Sequence, residues 1–298
     1  MNVFVGLLIN ILEEGLIYGI MAMGVYITYS VLSFPDLSVD GTFPLGCCVT
    51  AALASLGVHP LVCLLAAFAC GCLSGALTGL LHVKLHITDL LSGILVMTAL
   101  YSINLVVLGG KAVLPFYNKP TIFNSGLVSL FPKALYTRRV LIILIVLVAL
   151  LKVAMDLFFK TKTGLAIYAG GVNPKFAEAA GLNIDRSRVI ANIISTVLAG
   201  IGIIIYSQGY GYAQIYNGPL NMAFPAVAAV LIGGATATKA SCVNVVVGVC
   251  IFQGLMTAAM PVANALFTGT DLSDIMRQVI QNGVILYALT QVKKGGDR

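Results

Sequence analysis

Nine apolar runs, each close to the length of a bilayer-crossing helix, follow one another along this chain with scarcely a charge inside them. A hydrocarbon core takes about 20 residues of helix, and the runs fall at roughly 15 to 32, 39 to 56, 60 to 82, 88 to 108, 139 to 159, 189 to 208, 220 to 235, 240 to 260 and 272 to 291. Of 298 residues only 17 are Lys or Arg and 11 are Asp or Glu, and the mean hydropathy is +1.00. A soluble surface is about a quarter to a third charged, so a water-soluble fold is excluded. The expected fold is an all-α polytopic membrane protein, one transmembrane domain over 1–298. The second and seventh runs are short, Gly-rich and preceded by Pro or Gly, as half-spanning helices of transporters are. Residues 1 to 14 either extend the first helix or lie in the interface.

Basic residues give the orientation. With nine crossings, ten of the 17 Lys and Arg fall on one side, including Lys84, Lys160, Lys162, Lys175, Arg186 and Arg188. Five fall on the other and two lie within spans. The richer side reads as cytoplasm, which places the loop 160–188 and the C-terminus inside, and the loop 109–138 and the N-terminus outside. The net charge of +6 is scattered among loops with no aromatic-interleaved basic face, so a lipid bilayer explains it and nucleic acid does not. The seven cysteines sit in apolar stretches without a CxxC pair and read as packing residues. Glu13 and Glu14 in the first run, and the lack of a basic n-region, argue against a cleaved signal peptide.

An internal repeat is visible. Tyr29-Ser30 with Asp40-Gly41 matches Tyr206-Ser207 with Asn217-Gly218, and Gly75 to Thr78 aligns with Gly254 to Thr257. Thr88-Asp89 matches Ser273-Asp274, each read as a helix start. Four spans recur as four, giving a repeat A at about 16–109, a linker helix and loop at 139–188, and a repeat B at about 193–292. One helix between the copies inverts the second, an architecture tied to transport between the halves.

Signatures of catalysis are missing. Gly233 to Lys239 lacks the second Gly of a phosphate loop, so ATP hydrolysis is expected on a separate subunit and no cofactor in this chain. His82 and His86 flank Lys84 at a turn and lack further metal ligands. Acidic residues gather at segment edges, which weakens an ion-coupled carrier, although Asp36 and Asp40 lie in the break between the first two runs. A translocation path is therefore sought at the two breaks and at polar positions inside runs: Asp36, Asp40, Thr42, Asn104, Tyr210, Asn217, Asn221, Asn244, Gln253 and Asn282. Helix capping and helix-to-helix bonding are the alternative roles for these side chains.

In the loop 160–188, Asn173 suits an N-cap, Pro174 the first helical position and Gly181 a C-terminal stop, predicting a short helix over 174–180. Two turns cannot hold themselves together in water. The helix must rest on the membrane domain or on a partner, and its small face (Ala177, Ala180, Gly181) beside Phe176 suits docking into an external groove. A lipid-facing interfacial helix would carry more Leu, Trp or Lys.

At this loop the chain resembles the permease subunits of bacterial ABC importers in the branched-chain amino acid and ribose permease family. The matching residues are Gly164-Leu-Ala166, Asn173-Pro174, Ala177 to Ala180, Gly181-Leu182-Asn183 and Leu198-Ala199-Gly200, followed by Phe224-Pro225-Ala226 and Leu231-Ile232-Gly233-Gly234. The resemblance runs from about Gly15 to Leu289. Where amino-acid permeases of the family carry an Asn-Phe-Ala-His-Gly type sequence, this chain has Ser38-Val39-Asp40-Gly41-Thr42-Phe43-Pro44, similar to a subgroup linked with import of tryptophan or tyrosine. The resemblance implies a permease homodimer in the bacterial inner membrane, two cytoplasmic subunits that bind ATP and Mg and dock on the coupling helix, and an extracytoplasmic substrate-binding protein, often a lipoprotein. Gly170 and Gly171 are then expected to absorb backbone change beside that helix. An ion-coupled secondary transporter, or an ABC permease for a sugar or nucleoside, are the alternatives.

Overall fold

A computed structural model describes residues 3–31, 36–117, 119–123, 138–215, 223–234, 241–266 and 270–296. Helix α1 (Val3–Tyr26) runs into a π-helical turn (Ile27–Val31), and α2 (Val39–Ser55), α3 (Pro60–Leu85) and α4 (Asp89–Val107) follow. Strand β1 (Val113–Pro115) precedes α5 (Arg139–Phe159), α6 (Lys162–Val172), α7 (Pro174–Ala179) and α8 (Ile184–Tyr210). Strand β2 (Tyr212–Gln214) leads to α9 (Ala223–Ile232), α10 (Cys242–Leu266) and α11 (Thr270–Gly296). Among the described residues six helices are long and apolar enough to cross a membrane: α1 with its π turn, α3, α4, α5, α8 and the first part of α10. The two segments expected to be short are α2, with 17 residues, and α9, with 10.

The all-helical expectation needs one correction. β1 and β2 pair antiparallel, Leu114 opposite Ala213, because Gly211 takes a left-handed φ of +74° and turns the chain sharply after α8. Two further boundaries move. Residues 162–172, expected as loop, form α6. Ser273 and Asp274 lie inside α11 rather than at its start.

Small residues bring the helices together. In hydrocarbon there is no hydrophobic drive between helices, so close backbone approach and interhelical hydrogen bonds supply the association. Gly71, Gly75 and Gly79 of α3, four residues apart on one face, lie against Val197, Ile193 and Val189 of α8, and the Thr196 hydroxyl of α8 donates to the Gly71 carbonyl at 2.8 Å. The descending partner numbers make α3 and α8 antiparallel. Gly15 and Gly19 of α1 likewise meet Cys250 and Val246 of α10, and Gly24 meets Ser195 of α8. α2 packs on α3, α4 and α8, while α9 packs on α10, α11 and α1.

A 27-residue helix is about 40 Å long, so α8 separates two ends of the molecule. One carries β1–β2. The other carries α6, α7 and the α3–α4 turn, where Arg188 donates to His82 Nε2 at 2.7 Å and His82 Nδ1 faces the Ile87 carbonyl and Asp89 Oδ1, each at 2.8 Å.

Candidate functional site

The element with the clearest external role is α7. Thr161 caps α6 by accepting from the Gly164 N–H at 3.2 Å, and a Cβ on Gly164 would lie 2.3 Å from the Phe158 carbonyl oxygen, so only glycine allows the tight fold-back of α6 on α5. α6 then ends at Asn173, whose side chain accepts from the Phe176 N–H at 3.1 Å and starts α7. At the other end Gly181 has φ +82°; its N–H donates to the Glu178 carbonyl and the Leu182 N–H to the Ala177 carbonyl. These two bonds complete a Schellman stop. Both ends of a six-residue helix are therefore capped by its own sequence.

The faces of α7 are unequal. Ala177 is fully buried where α7 rests on α6 and α8, whereas Phe176 is 70% exposed and Lys175, Glu178, Ala180 and Gly181 are exposed around it. This differs from the expected gripping face. Ala177 belongs to the seat, and the outward knob is Phe176. Gly170 and Gly171 also lie inside α6 rather than in a loop, and a Cβ on Gly170 would stand 3.0 Å from Ile184 Cδ1. Gly170 is small so that α6 can press on α8.

A second polar group occupies the break between α1 and α2. Asp36 is buried and its Oδ1 accepts from the Ser38 N–H at 2.9 Å, while Oδ2 has no hydrogen-bond partner among the described residues. Thr42 Oγ1 donates to the Ser38 carbonyl at 2.9 Å and meets the Ser74 hydroxyl. Asn104 of α4 donates to the Gly41 carbonyl at 3.3 Å, and its Oδ1 is buried without a partner among the described residues. Asp40 Oδ1 accepts from the Ala223 N–H at 2.9 Å, so a carboxylate at the first break caps the helix that follows the second. The first turns of α2 and α9, 183 residues apart in sequence, meet there. Asp40→Ala should lower the thermal midpoint by several degrees, because loss of a cap costs about 1 kcal/mol and an orphaned buried donor up to about 3. Asp40→Asn keeps an acceptor oxygen and should lose much less. A thermal scan of the detergent-solubilised variants checks this; equal losses would mean that the charge, not the acceptor, matters.

Toward the β1–β2 end, Tyr210 and Gln253 come together through a residue that the sequence did not single out as a path residue. Glu14 of α1 accepts from the Tyr210 hydroxyl at 2.9 Å and from the Gln253 amide. Tyr206 stacks on Tyr210 with ring centroids 4.5 Å apart, and Tyr18 lies 6.2 Å from Tyr206. One carboxylate held by donors from α8 and α10, beside three aromatic rings, offers an ammonium acceptor and apolar faces. Its signal in the sequence is an acid at the edge of the first apolar run. Asn244 lies in the first turn of α10, its carbonyl pressed against Gly233, and Asn282 is exposed on α11, so neither joins this group. Asn217 and Asn221 lie outside the described residues.

Comparison with known proteins follows this geometry. Residues 7–289 match the family model described as the branched-chain amino acid transport system permease component. The chain belongs to this permease family. A tyrosine transport system permease protein of Clostridioides difficile is 32% identical over 92% of this chain and 88% of its own length. A ribose import permease of Escherichia coli is 29% identical over 76% and 68%, and a probable branched-chain amino acid transport permease of Methanocaldococcus jannaschii is 27% identical over 66% of each. No solved structure matches. The protein is thus a multi-pass permease of the ABC transporter type, which in bacteria places it in the inner membrane. In this permease the residues that carried the resemblance, Gly164, Asn173-Pro174 and Gly181, are the ones that fold α6 back and cap α7.

Proposed function

We propose that this permease is the membrane-spanning subunit of an ATP-driven importer for an amino acid with an aromatic side chain. The observation that carries the reading is α7: a helix capped at both ends, seated through Ala177 and presenting Phe176 outward at the end rich in Lys and Arg. A short stiff helix of this kind passes the motion of a docked ATP-binding subunit to α6 and α8 as a rigid body. ATP and Mg belong to that subunit, and a binding protein delivers cargo at the β1–β2 end. The tyrosine permease relative and the Glu14–Tyr210–Gln253 group beside Tyr18 and Tyr206 support aromatic amino-acid cargo. The ribose permease relative supports the sugar alternative.

The proposed topology is nine crossings with an inverted repeat, the first copy at about 16–109 and the second at about 193–292. Exchanged packing supports it: α3 lies on α8 as α10 lies on α1, and α2 lies on α3 and α4 as α9 lies on α10 and α11. The functional protein is a homodimer of this chain, and the residues proposed for the path are Asp36, Asp40, Thr42 and Asn104 at the breaks and Tyr210 and Gln253 at the outer group.

Reconstitution with the cognate ATP-binding subunit and binding protein tests the proposal. Proteoliposomes should accumulate labelled L-tyrosine only with ATP on the α7 side. Uptake by this chain alone under an ion gradient would overturn the reading, and uptake of D-ribose in place of L-tyrosine would overturn the cargo.

A further inference from the structure

At the α7 end a cleft of about 410 Å³ opens between the last turns of α1 and α5, the helix α6 and the start of α10. Its size falls within the range of about 300–1,000 Å³ typical of small-molecule sites, and it shares no residue with the proposed path. Tyr26, Phe159 and Tyr168 line it, the first two edge-to-face with ring centroids 6.5 Å apart. Asp156 in the last turn of α5 and Lys160 just past its end supply one charge of each sign, and Ser241 adds a hydroxyl. Lys160 makes no ion pair among the described residues, while Asp156 is paired along its own helix with Lys152.

We propose that this cleft binds an aromatic α-amino acid entering from the α7 side. A cation and an anion spaced by one helical turn match the carboxylate and ammonium of the zwitterion, and the three rings form a wall for an aromatic side chain. A purely anionic ligand would meet Asp156, and a purely cationic one would meet Lys160. Tyr168 stands on α6, and α6 leads directly into the Asn173 cap of α7. A ligand bridging α5 and Tyr168 ties α6 to α1 and α5 and so restrains α7. Cargo that has accumulated inside then slows its own import, a consequence that rests on the importer reading; the binding itself does not.

Two measurements test it. The full chain in phosphatidylcholine nanodiscs should bind L-tyrosine saturably by calorimetry, with affinity at least tenfold weaker in Lys160→Gln and in Tyr168→Ala and unchanged in the remote Lys84→Gln. Absence of binding, or binding indifferent to Lys160→Gln, overturns the site. In reconstituted proteoliposomes, L-tyrosine on the α7 side should slow ATP-driven uptake severalfold in the wild type and not in Lys160→Gln. Uptake that ignores it in the wild type overturns the inference while the importer reading stands. No ATP-driven uptake at all defeats the importer reading and leaves the binding measurement to decide the site.

Discussion

Gly75→Leu is expected to leave little or no folded protein. A Cβ at position 75 would sit 2.3 Å from Thr196 Oγ1, 2.5 Å from the Ile193 Cα and 2.6 Å from the Asn192 carbonyl oxygen. Two of those atoms are backbone of α8 and cannot step aside as a side-chain end would. Overpacking of a close-packed interior costs about 1–3 kcal/mol when neighbours can shift, and here the whole α3–α8 seam must open, since Gly71 and Gly79 lock the turns on either side. The expected result on size-exclusion chromatography is loss of the monodisperse peak, with Gly75→Ala already lowering the thermal midpoint. Gly6→Leu, at a position with no atom within 4 Å, should elute as wild type. A normal profile for Gly75→Leu would show that α3 and α8 do not meet along this face.

Ala177→Asp should abolish transport while the membrane domain stays folded. The methyl of Ala177 is the contact by which α7 sits on α6 and α8, and an ionised carboxylate there meets a desolvation cost of several kcal/mol. The cheapest escape is for α7 to swing off its seat, which leaves the long helices untouched. ATP-driven uptake is then expected to fall more than tenfold with an unchanged thermal midpoint. Phe176→Ala separates the two faces. It keeps the seat and removes the knob, so affinity for the ATP-binding subunit should drop about 30-fold, the size of a 2 kcal/mol interface anchor. Unaltered uptake in both variants would remove α7 from the coupling path.

The sequence reading and the structure agree where local chemistry decides. Asn173, Pro174 and Gly181 each set a backbone conformation within a few residues, so α7 was legible to within one position. Of the nine apolar runs, six correspond to helices of membrane-crossing length among the described residues. What could not be read was contact between distant segments. The orientation of Ala177 depends on α6, whose residues 162–172 carry no strong helix signal, and the small size of Gly170 answers to Ile184, 14 residues further on. Glu14 was set aside as an edge acid, since its partners are 196 and 239 residues away. The glycines at 71, 75 and 79 show in the sequence as a spacing of four, which names no partner helix.

The β1–β2 pairing is extended by further hydrogen bonds on either side. Besides the three paired positions, the Phe116 N–H donates to the Gly211 carbonyl at 2.7 Å, the Ile215 N–H to the Ala112 carbonyl at 3.0 Å, and the Ile122 N–H to Gln208 Oε1 at 2.7 Å. These bonds stitch the segment after α4 to the tail of α8 like a buckle across the outer rim. A rim buckled in this way resists splaying, so the ends of α4 and α8 are held together there, and freedom for the two to part is left to the far end, where α7 rests on α8.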